Sequence, residues 1–173
     1  NGPVKIPGNV YGIDVKRQAE LFDLDKKMDM GSLDELLKAS DVIVMGKGLA
    51  EKMNVTIGDR VSVTTPEGGN LNLKVVGIFS FGIAAMDQTQ SYATLATVQK
   101  ILQKDPSYIT DLNVKMHDVT KAADLRADLE NRISGVKIED WEEANQSLLA
   151  GEQIRNIMTF VVCFTLLVVA GFG

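Results

Sequence analysis

The chain has almost no cysteine and almost no histidine, and this scarcity excludes several kinds of site. Of its 173 residues, one is a cysteine, Cys163, and one is a histidine, His117. A disulfide framework needs cysteine pairs and a structural zinc site needs several Cys or His ligands, so neither is expected. No Gly-x-Ser-x-Gly elbow presents a serine that His117 could activate. We therefore expect no catalytic residue and no metal site.

Clustered positive charge is also missing. The net charge is -5, with 18 Lys and Arg against 23 Asp and Glu, and no basic stripe is present. Nucleic-acid binding needs clustered cations to neutralise phosphates, so no nucleic-acid partner is expected. Gly46-Lys47-Gly48 lacks the Gly-x4-Gly-Lys-Ser/Thr spacing of a phosphate-binding loop, so we expect no bound cofactor there. The composition thus favours a non-enzymatic protein.

The end of the chain contains a long apolar run. From Ile157 to Gly173 no residue is charged, and the apolar side chains are interrupted only by threonines and glycines. A helix that is apolar on all sides is typical of a membrane span or of a buried core helix, and a span needs about 20 residues. We predict a membrane-spanning helix that the end of the chain truncates, with a buried core helix as the alternative. The residues that mark this membrane helix are Phe160, Val161, Phe164 and Leu167.

The residues before this run predict a helix that continues into it. The segment from Glu142 to Arg155 contains good helix formers and no proline. Acidic flanking residues outnumber Arg155, and cytoplasmic flanks favour Lys and Arg, so the preceding domain is expected outside the cytoplasm. Because no leader precedes the folded pattern, we also expect the sequence to be a piece of a longer membrane protein. The residues that mark this connecting helix are Ser147, Leu149, Gly151 and Ile154.

The rest of the chain alternates strand patterns and helix patterns, which predicts an α+β fold. Hydrophobic periodicity and turn residues predict strands at 9–13, 41–45, 60–65, 71–79, 91–93, 112–116 and 136–138. Helices are predicted at 16–22, 33–39 and 49–53, from 95 to before Pro106, and from about 120 to 133. The last of these helices, with the strands at 112–116 and 136–138, would form a βαβ unit. Gly77 is predicted to lie at a β-bulge.

A series of short motifs follows this order of elements. In chain order they are Gly12-Ile13-Asp14, Gly46 with Leu49 and Ala50, Gly58-Asp59, Val76-Gly77-Ile78-Phe79, Asp87, and Asp140-Trp141 ahead of the long helix. Taken in this order, the motifs resemble those of the extracytoplasmic domain of LolC/LolE-type lipoprotein-releasing ABC transporter permeases, within the MacB and FtsX superfamily. The resemblance covers residues 9–173.

The resemblance implies a division of the chain into four segments. Residues 1–41 and 91–141 would form the two parts of a porter-like subdomain, the second of them the βαβ unit. Residues 42–90 would form an inserted β-rich, sabre-like subdomain. Residues 142–173 would form the connecting helix and the truncated membrane helix.

The resemblance also implies partners and a location. The chain would lie in the bacterial inner membrane with its soluble domain in the periplasm, paired with a second permease subunit or with itself. A cytoplasmic ATPase subunit would drive it, membrane lipid would surround its helix, and lipoprotein cargo and a periplasmic chaperone would be its further partners. A permease that recruits the chaperone carries a long hook in the hairpin that here is only residues 66–70. A MacB-like permease for another cargo, or a membrane-tethered binding or scaffold domain, is the alternative.

Overall fold

The computed structural model describes residues 5–65, 68–144 and 146–172, and the side chains at 146–150, 152, 153, 169 and 172 lie outside that description. Contacts divide the chain into two compact units, of which the first ends at Asn113 and the second begins at Val114. The four-segment division at residues 41, 90 and 141 stays a prediction.

In the described part of the first unit, six strands form one mixed sheet. The strand order is β1-β6-β3-β5-β2, and β4 also pairs with β5. The pairs β1–β6 and β3–β5 are parallel, whereas β3–β6, β2–β5 and β4–β5 are antiparallel. This mixed architecture confirms the coarse prediction of a fold that combines helices and strands. The strands are β1 (Asn9–Ile13), β2 (Met28–Gly31), β3 (Val42–Gly46), β4 (Arg60–Thr64), β5 (Asn70–Phe79) and β6 (Gln90–Thr94).

The short helices α1, α3 and α5 of the first unit have side-chain or left-handed caps that the sequence supplies locally. The Asp14 side chain accepts a hydrogen bond from the Arg17 backbone N–H at the start of α1, at 3.2 Å. Asn54 ends α3 in the left-handed conformation, with φ 53°. Thr94 caps α5. The helices are α1 (Val15–Phe22), α2 (Glu35–Lys38), α3 (Lys47–Met53), α4 (Ala84–Asp87) and α5 (Leu95–Ile101), with a 3-10 helix at Leu24–Lys27.

The core lies on both faces of the sheet, and β3 runs through its centre. All five residues of β3 are buried, because β5 and β6 flank the strand. Successive side chains of a strand point to opposite faces, so β3 contributes to two separate hydrophobic clusters. Ile43 and Met45 belong to one cluster with Leu73 and Val75. Val42 and Val44 belong to the other, together with Phe79 and Tyr92.

The predicted bulge at Gly77 is confirmed. Ile43 pairs with Val75 and Val44 pairs with Gly77, so Val76 is an extra residue in β5. A bulge changes which face the following side chains occupy. Consequently Ile78 joins the same cluster as Val75, three residues earlier. A Cβ on Gly77 would lie 2.5 Å from Met28 Cε, so a side chain there would displace the end of the Met28 side chain.

In the described part of the second unit, all regular secondary structure is helical. It contains α6 (Ala122–Arg132), α7 (Trp141–Ala144) and α8 (Gln146–Phe172), with a 3-10 turn at Val119–Lys121 ahead of α6. The Asp118 carboxylate accepts a hydrogen bond from the Thr120 N–H at 3.1 Å and so caps that turn. Gly135 follows α6 with a positive φ of 83°.

The prediction of a βαβ unit is wrong for both of its strands. Residues 112–116 and 136–138 lie in the described range 68–144, and neither segment forms a strand there. Leu112 is 80% exposed, Val114 61% and Val136 60%. A strand needs a partner for its backbone N–H and C=O groups, and alternation of apolar residues does not supply one. Only the helix of the predicted unit is present, as α6.

Candidate functional site

The motif glycine Gly46 lies where two backbones meet. A Cβ on Gly46 would lie 2.9 Å from the carbonyl carbon of Asp87, so a side chain there would push α4 away from the end of β3. Close backbone approach explains this glycine. The motif residues Leu49 and Ala50, which follow it in α3, are buried in the same hydrophobic cluster as Ile43 and Met45.

Asp87 holds the turn that follows β5. Its side chain is buried, and Oδ2 accepts a hydrogen bond from Ser80 Oγ at 2.8 Å. Oδ1 accepts from the Phe81 N–H at 2.8 Å, and Oδ2 also accepts from the Gly82 N–H at 3.2 Å. Because the buried carboxylate accepts three hydrogen bonds from residues 80–82, Asp87 anchors the turn that these residues form.

Gly58 and Asp59 fasten the turn before β4 onto β5. The Gly58 N–H donates to the Val75 carbonyl at 2.8 Å, and the Val75 N–H donates to the Asp59 carbonyl at 2.9 Å. Asp59 Oδ2 accepts from the Thr56 N–H at 2.8 Å. Gly58 has a φ of +99°, which side chains rarely adopt. The strand predicted at 60–65 is confirmed as β4, Arg60–Thr64.

Two lysines of α3 bind the helix to neighbouring segments. Lys47 Nζ lies 3.0 Å from Asp29 Oδ2 on β2, and Lys52 Nζ donates to Gln88 Oε1 at 2.8 Å. The hydrogen bond to Asp29, followed by its negative charge, raises the pKa of Lys47 above its usual 10.5. Because both contacts are exposed to solvent, they contribute little to folding stability, and their main effect is to orient α3.

The tip of the β4–β5 hairpin packs back onto the first unit. A Cβ on Gly69 would clash with the backbone oxygen of Ile101, the last residue of α5. The Thr65 N–H donates to the Gly69 carbonyl at 2.8 Å, and the Gly69 N–H donates to Thr65 Oγ1 at 3.0 Å. The described residues of this hairpin therefore form a compact tip.

The second unit contains a cluster of one guanidinium and three carboxylates. Arg126 Nη1 lies 2.7 Å from Glu143 Oε2 and 3.4 Å from Asp140 Oδ2. Arg126 Nε lies 3.1 Å from Glu130 Oε1, one turn along α6. The charge of Glu143 is the main cause of the raised pKa of Arg126. The cluster connects α6 with the residue before α7 and with α7 itself.

The described side chains of α8 expose an apolar surface. Thr159 Oγ1 donates to the Arg155 carbonyl at 2.9 Å and Thr165 Oγ1 donates to the Val161 carbonyl at 2.8 Å. The hydroxyl protons are thus bound within the helix, which keeps the surface apolar. The rings of Phe160 and Phe164 stack with centroids 6.3 Å apart. The exposed large apolar residues are Ile154, Ile157, Met158, Phe160, Val161, Val162, Phe164, Leu166, Leu167 and Val168.

Comparison with known proteins decides the family. Residues 5–132 match the family of the MacB-like periplasmic core domain. This chain belongs to that family. As a MacB-like periplasmic core domain it is similar to the lipoprotein-releasing system transmembrane protein LolC of Xylella fastidiosa (strain Temecula1), with 27% identity over 177 residues. It is 25% identical over 182 residues to the protein of that name from Neisseria meningitidis serogroup B.

These relatives are longer than the chain described here. The alignment covers 96% of this chain but 42% of the Xylella protein, and 96% of this chain but 44% of the Neisseria protein. The chain therefore spans less than half the length of the curated relatives it matches. A solved structure of the periplasmic region of MacB from Actinobacillus actinomycetemcomitans is also similar, with 18% identity, a TM-score of 0.44, and coverage of 72% of this chain and 56% of that one.

The predicted motif residues of the MacB-like first unit lie in local turns, at a bulge and in the core. Gly46 ends β3 and Leu49 and Ala50 follow in α3, whereas Gly58 and Asp59 precede β4 and Gly77 lies within β5. Trp141 lies in the second unit as the first residue of α7 and is 46% exposed.

The predicted helix beyond the core domain is present as α7 and α8, on either side of Asn145, which the structure does not describe. Gly151 and Ile154 are exposed, and the side chains of Ser147 and Leu149 lie outside the described set. Among the residues that the structure describes, no helix combines the length and the apolar character needed to cross a membrane. The predicted membrane-spanning helix is therefore not confirmed.

Sequence reasoning missed two features of this MacB-like chain. One is the cluster around Arg126, and the other is the contact of Gly69 with the end of α5. Asp140 directly before Trp141 is a typical capping residue and signals the start of α7. Its pairing with a residue fourteen positions earlier depends on tertiary structure.

Proposed function

We propose that this chain is the extracytoplasmic domain of an ABC transporter permease subunit and that it transmits ATP-driven motion across the membrane for lipoprotein release. Membership in the MacB-like periplasmic core domain family supports the permease assignment. Similarity to LolC proteins across nearly the whole chain supports lipoprotein as the cargo. The domain is non-enzymatic in this proposal, because ATP is hydrolysed by a separate cytoplasmic subunit.

The observation that carries the proposal is the exposed apolar surface of α8, which follows the core domain in the chain. Phe160 is 71% exposed, Leu166 63% and Leu167 72%. Burial of each such side chain is worth about 1.5–3 kcal/mol, so a surface of this extent is expected to be covered. We propose that inner-membrane lipid covers it and that the folded core lies in the periplasm. The proposal concerns lipid contact, since the described helix does not itself meet the requirement for a span.

The partners follow from the same assignment. A second permease subunit, of the same or of another type, would complete the membrane part, and a cytoplasmic ATPase would supply the motion. The porter-like and sabre-like division at residues 41, 90 and 141 belongs to this proposal. The connecting helix would carry displacement between the ATPase side and the core domain.

The short hairpin favours a role other than chaperone capture by its tip. Gly69 packs against Ile101 and pairs with Thr65, so the described tip is held on the domain. Among the described residues of the hairpin, which exclude 66 and 67, no extended hook is present for a chaperone to bind. A partner-permease role, or a MacB-like role with another cargo, is the second candidate that this observation favours.

Proline in α8 tests the transmission. Proline at Ile154 removes a backbone donor inside the described helix and clashes with the preceding turn. In vesicles with the full-length permease and its ATPase, we expect Ile154→Pro to abolish lipoprotein release while ATP hydrolysis continues. Ile154→Ala, which keeps the helix, should release lipoprotein as the parent does. Undiminished release by Ile154→Pro would contradict the proposal.

Lipid contact is tested separately by charge. Leu167→Lys places an ammonium on the apolar surface, and a charged residue in the hydrocarbon region is unfavourable by about 2.5–3.5 kcal/mol. We expect that carbonate-washed membranes retain less of the full-length lysine variant than of the parent. We also expect that a photoreactive probe carried by lipid no longer labels the protein at a position next to residue 167. Leu167→Ile is the matched control. Labelling that is identical in the lysine variant would exclude lipid contact.

A further inference from the structure

The carboxylate of Asp140 has two separate tasks. Oδ1 accepts a hydrogen bond from the Glu143 N–H at 2.8 Å and so caps α7. Oδ2 faces Arg126 Nη1 at 3.4 Å. The Asp140 side chain is only 8% exposed, so its charge is poorly solvated and depends on these two contacts.

Arg126 reaches both the cap and the body of α7 from a position on α6. Nη1 approaches Asp140 and also Glu143, which lies within α7, at 2.7 Å. A guanidinium can do this because it is planar and carries several donors in fixed directions, whereas a lysine ammonium is a point charge. Arg126 Nε contacts Glu130, which lies on α6 itself. The Arg126 side chain thus contacts three carboxylates, one on α6, one directly before α7 and one within α7.

The other ion pairs of α6 are local by comparison. Arg132 Nε pairs with Asp128 Oδ1 at 2.9 Å, with side-chain exposures of 71% and 50%. Such an exposed pair one turn apart contributes a few tenths of a kcal/mol to its own helix. It makes no link to another element and is therefore a matched control for Arg126.

We infer that Arg126 is a positioning residue that fixes the start of α7 on α6, so that a displacement of one helix is passed to the other. One residue, Asn145, separates α7 from α8 in the chain, so the fixed element lies directly ahead of the proposed transmission helix. The consequence for transport rests on the proposed function, whereas the fixed geometry of α6 and α7 is independent of that proposal.

Spin-label distances test the fixed geometry without reference to transport. In the full-length protein with Cys163→Ser, labels are placed at Ala123 on α6 and Ala144 on α7, both exposed. We expect a narrow distance distribution in the parent and loss of that narrow distribution in Arg126→Gln. Arg132→Gln should keep it. A distribution that stays narrow in Arg126→Gln, or that broadens equally in Arg132→Gln, overturns the inference.

Transport coupling gives the second readout. Lipoprotein released per ATP hydrolysed should fall about fivefold in Arg126→Gln, the size typical of a lost coupling contact. Arg126→Lys keeps the charge without the planar guanidinium and guards against loss of folding, and its coupling should lie between that of the parent and that of Arg126→Gln. Glu143→Gln removes the charge that Arg126 contacts on α7 at 2.7 Å, and it should broaden the distance distribution and lower the coupling as Arg126→Gln does. A Glu143→Gln variant with the distribution of the parent counts against a specific link.

The two readouts separate the inference from the proposed function. If the parent protein shows no ATP-dependent release but Arg126→Gln alone loses the narrow distribution, the proposed function fails and the link between α6 and α7 stands. If the parent releases lipoprotein and Arg126→Gln changes neither readout, the link fails and the proposed function stands.

Discussion

Gly46 lies so close to Asp87 that no side chain fits between their backbones. A Cβ on Gly46 would lie 2.9 Å from the Asp87 carbonyl carbon and 3.1 Å from its Cα. Gly46 ends β3, the strand at the centre of the sheet, and all residues of that strand are buried. Close-packed interiors yield little, so this contact ties α4 to the core.

Gly46→Ala is expected to destabilise the first unit. Because the added methyl group must displace backbone, overpacking should lower the free energy of unfolding by about 1–3 kcal/mol. Urea denaturation followed by circular dichroism measures the change. Gly151→Ala is the control, since no atom lies within 4 Å of a Cβ at that helical position. Equal transitions for the parent and Gly46→Ala would show that α4 can move away freely.

Asp87→Asn is expected to loosen the turn after β5. An amide turns one hydrogen-bond acceptor into a donor, which would then face Ser80 Oγ or a backbone N–H. A buried polar group left without its partner costs about 1–3 kcal/mol. Hydrogen exchange at the Phe81 and Gly82 amides should accelerate, and Asp111→Asn, at an exposed position, should leave both protected. Unchanged protection in Asp87→Asn would contradict the anchoring role.

Gly58 tests backbone conformation without crowding. Its φ is +99° and no heavy atom lies within 4 Å of an added Cβ, so any loss must come from the backbone. We expect Gly58→Ala to lower stability by about 1–2 kcal/mol and Gly58→Val to lower it further, because β-branched residues tolerate positive φ least. Gly58→Asn should lose less, since asparagine visits this region more readily. Thermal unfolding of the three variants gives the order, and a different order would reject the explanation.

The local chemistry of the sequence predicted those elements that are stabilised by near neighbours. Asp14 caps α1, Asn54 ends α3, and β4 and β5 pair beside the tip of their hairpin, where Thr64 lies opposite Asn70. Each of these depends on residues a few positions apart. Helix caps and turns can therefore be recognised without tertiary structure.

Elements that depend on distant partners were not predicted correctly. β2 is four residues with Asp29 and Gly31 among them, and it exists because β5 offers a pairing edge. Residues 112–116 have a strand pattern but find no partner within the described chain. The motif glycines were identified, but the reason for Gly46 is the approach of Asp87, which only the folded chain brings near. The link from Arg126 to Asp140 is missed for the same reason.

The pair of Lys47 and Asp29 predicts a pH dependence in alkali. The folded-state pKa of Lys47 is raised, so the pair's contribution to stability is fully present below the unfolded value of 10.5 and is lost as pH rises through the folded value. Asp29→Asn should return the Lys47 pKa toward 10.5 in an NMR titration of its side-chain carbon resonance. Asp25→Asn should not change it. A Lys47 titration that is the same with and without Asp29 would exclude the pairing in solution.

The parallel pairing of β1 with β6 constrains how the protein is made. Asn9 pairs with Gln90 and Ile13 with Thr94, so β1 leaves the ribosome long before its partner strand β6 is translated. Closing so long a loop is entropically costly and slow. While the nascent chain lengthens, Val10 and its neighbours have no strand to shield their backbone groups, and the sheet is completed only after Thr94 has left the exit tunnel.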